Sequence, residues 1–121
     1  MFVEGDGVLF SGDVAMKDVF PAFTSAHSRI DTWLAGLETL AALQPKHVVG
    51  AHYATGDASV IAGYREYLRA LRARVAEMKA QGKSADEAAR TLRAEFHAKY
   101  PAWDQPLRVH QAVTAVYALL P

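Results

Sequence analysis

At 121 residues, with 51% hydrophobic and 21% charged positions, the chain has the composition of one globular domain with a modest core, and not that of a disordered segment. Thirteen basic and thirteen acidic residues cancel, which leaves no electrostatic case for a nucleic acid or an anionic membrane as partner. The absence of cysteine excludes a disulfide framework, thiol nucleophiles and thiolate metal sites together, so any metal must be held by His, Asp, Glu and water.

Phe2-Val3-Glu4 and Val8-Leu9-Phe10, parted by Gly5-Asp6-Gly7, predict a hairpin whose turn takes the positive φ that glycine allows. The second strand is apolar at consecutive positions, so both of its faces are expected to be covered. It continues through Ser11-Gly12 to a carboxylate, Asp13. From Asp13 to Ser28 there is no clean period and a proline at position 21, which predicts a loop with at most one helical turn. Phe20 and Phe23 lie within it and either wall a pocket or pack over the core.

Ser28 then reads as an N-cap, with Asp31 three positions on as a weaker capping-box partner. Ile30, Trp33, Leu34, Leu37, Leu40, Ala41 and Leu43 recur at helical spacing until Pro45. This is a helix laid on a sheet, and Trp33 is expected in the core rather than as a cofactor platform. His47-Val48-Val49-Gly50-Ala51-His52 is a second short apolar run, and it ends in Gly-x-His. Strand, helix and strand at this spacing predict a crossover between parallel neighbours. Such a crossover brings Asp13 and His52 to one edge of the sheet, where ligands commonly bind.

The rest of the chain reads as helical. Asp57 opens a helix striped by Val60, Ile61, Tyr64, Leu68, Leu71, Val75 and Met78, and Gly82 closes it. Arg65, Arg69 and Arg72 share a neighbouring face, read as solvated because Glu66 and Glu77 are close by. Ser84-Ala85-Asp86-Glu87 is a capping box that launches a third helix, lined by Leu92, Phe96 and Tyr100 and stopped by Pro101. A last helix, from about Leu107 to Leu120, turns Val109, Val113, Val116, Tyr117 and Leu120 mostly to one side. The chain therefore divides into an α/β part, residues 1–56, and a helical part of the same domain, residues 57–121.

An apolar strand ending in Ser11-Gly12-Asp13, a helical interval with a Trp and a Leu repeat, then Val48-Val49-Gly50-Ala51-His52 and a Gly56-Asp57 helix start resemble the second half of the metallo-β-lactamase superfamily. The resemblance implies the C-terminal half of an αββα sandwich, a short sheet with a covering helix, followed by a helical extension. It further implies that Asp13 bridges two metal ions, zinc foremost, and that His52 is the terminal histidine on the second. The first-half signature of that family, His-x-His-x-Asp-His, does not occur in these residues, nor does the separate histidine expected ahead of the Gly-Asp strand. The expectation is thus a fragment of a metal-dependent hydrolase acting on a small molecule, inactive or nearly so alone, with metal weakly held or absent until the missing half is supplied. Without the family pattern, Asp13 reads as a turn residue after Gly12.

The contrasting expectation is a non-catalytic module working through self-association or a protein partner. A half-sheet exposes a strand edge and apolar area, which predicts a homodimer under either reading. His27, His47, His97 and His110 carry weaker signals, and structural or surface roles are expected of them. No apolar run approaches membrane-spanning length, and the first residues lack a basic segment followed by an apolar one, so a cytoplasmic location is expected.

Overall fold

Three short strands and four helices follow one another as β1 (Phe2–Val3), β2 (Val8–Gly12), α1 (Ile30–Ala42), β3 (His47–Gly50), α2 (Ser59–Ala80), α3 (Ala85–Lys99) and α4 (Leu107–Leu119). The structure is a computed structural model and describes residues 2–3, 5, 7–12, 17, 19–21, 30–50 and 56–120, with the backbone alone at 10–12, 31 and 50. It is mixed α/β and mostly helical, in the element order that the sequence periodicities predict.

The sheet runs β1-β2-β3. β1 pairs antiparallel with β2, Phe2 opposite Leu9 and Val3 opposite Val8. Their connection is the expected glycine turn: Gly7 has φ +65°, which a side chain would strain. Its carbonyl also accepts the Lys46 and His47 amides at 2.7 and 3.0 Å, which seats the start of β3 beside the turn. β2 and β3 are parallel, and α1 lies between them in sequence, so the strand–helix–strand expectation holds. Leu9 and Val48 are register partners, both 1% exposed, and face the core. Val8 and Val49 on the other face are only half-buried, and Val3 is exposed. The expectation that β2 is covered on both faces is therefore met fully on one face alone.

Helix α1 ends as its sequence requires. Leu43 and Gln44 donate back to Leu40 and Ala41, Gln44 takes φ 50°, and buried Pro45 follows. Proline disfavours helix in the residue before it, so the chain must turn out here. Ser28 lies outside the described residues, as does the Asp31 side chain, and with them the proposed cap. Trp33 is half-buried against the core.

The helical layer is where most burial occurs. Ile61, Tyr64, Tyr67, Leu68, Leu71, Val75 and Met78 of α2 are buried, with Ala88, Ala89, Leu92 and Phe96 of α3 and Val109, Ala112, Val113 and Val116 of α4. Ser84 Oγ accepts the Glu87 amide at 3.2 Å, the cap that the Ser-Ala-Asp-Glu run predicts. The left-handed Gly82, φ +81°, ends α2 as expected. Lys79 fastens α4 to α2: its Nζ donates to the Tyr117 and Leu120 carbonyls at 2.9 and 2.7 Å. These are C-terminal helix carbonyls with no intrahelical partner, so a cation is well placed there. Arg65 and Arg69 both reach Glu38 on α1, tying α1 to α2 across an exposed face. Glu66 and Glu77 pair instead with Lys99 and Arg74. The arginine face is a solvated one, as expected, although its acidic partner comes from another helix.

Candidate functional site

The carboxyl ends of β2 and β3 meet at Gly12 and Gly50, which are register partners in the parallel pair. Asp13 is the next residue after Gly12, and His52 the second after Gly50. Both lie outside the described residues. What the backbone fixes is the platform: the two strands that lead to them end side by side at one edge of the sheet.

That platform has an irregularity that no local pattern in the sequence signals. Phe10 opposes Val49 and Gly12 opposes Gly50, so β2 uses two steps where β3 uses one, and Ser11 is the extra residue. Bulges are uncommon in parallel pairs and concentrate next to functional sites, where they bend a strand and re-aim the residues beyond it. Here the bulge falls immediately before the Gly12-Asp13 step.

Past the strand ends, the two connections approach each other again. Gly56 forms a two-hydrogen-bond bridge with Val48, N–H to carbonyl at 2.8 and 2.9 Å, folding the chain back onto β3. A Cβ on Gly56 would fall 2.3 Å from Val60 Cγ2, so only glycine fits without a shift. The same position lies 3.5 Å from Lys17 Cδ, which brings the connection after β2 against the connection after β3.

Asp57 follows at the start of α2. Its Oδ1 accepts the Ser59 amide at 2.9 Å and the Ser59 hydroxyl, which satisfies an orphan donor of the first turn. These bonds, the hydroxyl's first, hold the Asp57 carboxyl below its ordinary value, with a small contribution from the Lys17 charge. Asp57 therefore does the capping work that its position predicts, although the regular helix begins at Ser59.

The other candidates separate cleanly. Phe20 is fully buried and packs its ring 5.3 Å from Tyr67 and 5.2 Å from Trp103, so of the two expectations for it the core holds and the pocket wall does not. Phe23 and His27 lie outside the described residues. His47 is exposed at the amino end of β3, opposite Val8 and away from Gly50. His97 is exposed on α3 and His110 half-buried on α4. Among the described residues no three His, Asp or Glu side chains gather to hold a metal ion. Asp13 and His52 are a carboxylate and an imidazole, a donor pair suited to zinc, but a catalytic zinc takes three protein ligands and a two-metal centre more.

The aromatic cluster of the helical layer was not legible as such. Phe20, Tyr64, Tyr67, Phe96, Tyr100 and Trp103 pack tilted, edge to face or stacked, with Tyr100 on Trp103 at 4.3 Å. The Tyr67 hydroxyl is buried without a hydrogen-bond partner. Desolvation drives its pKa far up, and it stays neutral.

The chain matches no protein-family model and no curated protein, so any function assigned to it must be argued from these residues. No helix among the described residues is long and apolar enough to cross a membrane.

Proposed function

We propose that this chain carries the second-half metal cradle of a metal-dependent hydrolase of metallo-β-lactamase type, acting on a small molecule. Asp13 and His52 are its ligands for a divalent ion, zinc foremost, and the remaining ligands come from outside these residues. The observation that supports this most is the parallel β2–β3 pair. It aligns Gly12 with Gly50, and a bulge at Ser11 precedes the acidic step.

Within this reading each residue has a distinct task. Asp13 contributes the negative charge that offsets a dication, and His52 contributes a neutral imidazole nitrogen from the adjacent strand end. Two donors without a third hold a divalent ion weakly, so the chain alone is inactive or nearly so. The bound ion would supply a hydroxide at neutral pH by lowering the pKa of water. The Val48–Gly56 bridge returns the chain to β3 four residues after His52.

The test is metal titration with hydrolysis assays on ester, thioester and lactam probes. Weak Zn2+ uptake that Asp13→Ala and His52→Ala both abolish, with little turnover, is the expected result. Uptake indifferent to both substitutions would end the reading, and tight stoichiometric metal with robust turnover would end the claim of an incomplete cradle.

A second reading, a self-associating or partner-binding module, draws on the sheet edge. β1 is a two-residue edge strand, and its Val3 is 36% exposed. Light scattering at micromolar concentration tests it: a dimer is expected, and a monomer would count against it.

A further inference from the structure

Gln105, in the α3–α4 connection, breaks two local rules at once. Its φ is 61°, in the left-handed region that residues other than glycine disfavour. It also precedes Pro106, and the residue before a proline favours extended backbone. Gln44 combines the same two features, φ 50° ahead of Pro45, but there a left-handed residue closes helix α1 in the ordinary way. Gln105 instead stands before α4 with its side chain exposed, so neither a helix end nor its own burial holds it.

Contacts on either side of the Gln105 rotation come from one short strap, Val19 and Phe20. Ahead of the rotation, the Phe20 amide donates to the Asp104 carbonyl at 3.1 Å. Beyond it, Arg108 in the first turn of α4 donates from its guanidinium to the Phe20 carbonyl at 3.0 Å. The strap is itself fixed: Val19 and Phe20 are fully buried, and the Tyr64 hydroxyl of α2 donates to the Val19 carbonyl at 2.7 Å. Asp104 Oδ1 also accepts the Gln105 amide at 2.9 Å, which orients the peptide unit before Gln105 but not the rotation after it. Backbone held against its preference persists where its surroundings over-determine it.

We propose that the Val19–Phe20 strap and the Gln105 turn are one conformational device. Docking of the strap holds Gln105 left-handed, and the strain kept there loads the strap for release. When the strap leaves, Gln105 relaxes to extended backbone and the start of α4 moves with it. The coupling is reciprocal: whatever relieves the strain at Gln105 tightens the strap. The device is independent of the metal reading above.

The experiment uses the 121-residue chain and reads two quantities by NMR: amide hydrogen exchange, and the short Hα to amide-proton distance that a positive φ gives at Gln105. Arg108→Ala, which loosens the strap, is expected to abolish that short distance. Gln105→Gly takes the left-handed φ without strain, and should slow exchange of the Phe20 amide about fivefold while the Leu71 amide of α2 is unchanged. In the Arg108→Ala background the same glycine should slow Phe20 by less than about twofold, because the strap no longer enforces the turn. Gln44→Gly is the control and should leave Phe20 exchange as it is. Tyr64→Phe, which removes one hydroxyl and keeps the ring, replaces Arg108→Ala if that variant does not fold, with the same outcomes expected. A Gln105 that stays left-handed in the loosened variant overturns the proposal. So does a Phe20 amide indifferent to Gln105→Gly, a Leu71 amide slowed as much as Phe20, or a Gln44→Gly chain with the same effect.

Discussion

Helices α2 to α4 bury long, continuous stripes and cap their ends with Ser84, Gly82 and Lys79, whereas the sheet buries Leu9 and Val48 on one face and leaves Val3 exposed. Burial is concentrated in the first region, while the second ends at Gly12 and Gly50, the strand ends that lead to Asp13 and His52. The separation makes physical sense. A sheet edge that keeps its polar groups accessible needs the packing that holds it to lie elsewhere. The Tyr64, Asp104 and Arg108 bonds to Val19 and Phe20 tie the connection after β2 to the helical layer.

Substitutions can break or sharpen that contrast. The largest effect is expected in the helical layer: Phe96→Ala removes a ring that is 2% exposed and meets Tyr67 edge-on, and should cost about 3–5 kcal/mol in denaturant unfolding. Val48→Ala in the sheet should cost about 2 kcal/mol. Equal losses would show that the two regions bear stability alike. Gly56→Ala comes next, at about 1–3 kcal/mol, because the new Cβ must displace Val60. Pairing it with Val60→Ala should recover part of the loss, and a double mutant with strictly additive losses would disprove the clash.

Two tyrosines three residues apart on α2 give a finer comparison. Tyr64→Phe leaves the buried Val19 carbonyl without that donor and should destabilise by about 1–2 kcal/mol. Tyr67→Phe deletes a hydroxyl that has no partner and should be neutral or stabilising by up to about 1 kcal/mol. Thermal melts of the pair check this, and a loss in Tyr67→Phe as large as in Tyr64→Phe would refute it.

The smallest effect concerns pH. The Asp57 carboxyl is held below its ordinary value of 3.8 by Ser59, so its folded-state pKa lies under the unfolded one. Its contribution is present above the unfolded value and is lost as pH falls through the folded one. Asp57→Asn should therefore flatten the acid side of the stability curve below about pH 4 and leave the curve's shape at neutral pH unchanged. A steeper acid limb in the variant would contradict the assignment.

Much of the architecture could be read from local pattern. The Ile30–Leu43 and Val60–Met78 stripes, the Ser84 cap and the strand–helix–strand spacing each act over a few residues, and each found its element. Tyr67 was missed because it lies at the border of the α2 stripe and is buried by Phe20 and Trp103, partners distant in sequence. Arg108 was missed for the same reason: the carbonyl it serves is 88 residues away, and no period encodes such a pairing. The bulge at Ser11 escaped because a register offset is a property of two strands, not of either one. For the site, the order of Gly12-Asp13 and Gly50-Ala51-His52 was legible and the parallel alignment of their strands followed. The Tyr64 and Arg108 bonds to Val19 and Phe20 were not.

The additional residue in β2 also makes the parity of the chain a one-letter variable. Before Ser11 the ladder alternates in step with β3, and after it the count is offset by one. Deleting Ser11 would keep Phe10 and Gly12 in the strand, yet reverse the parity of the chain that follows. Removing a single serine would thus be a harsher change here than many substitutions.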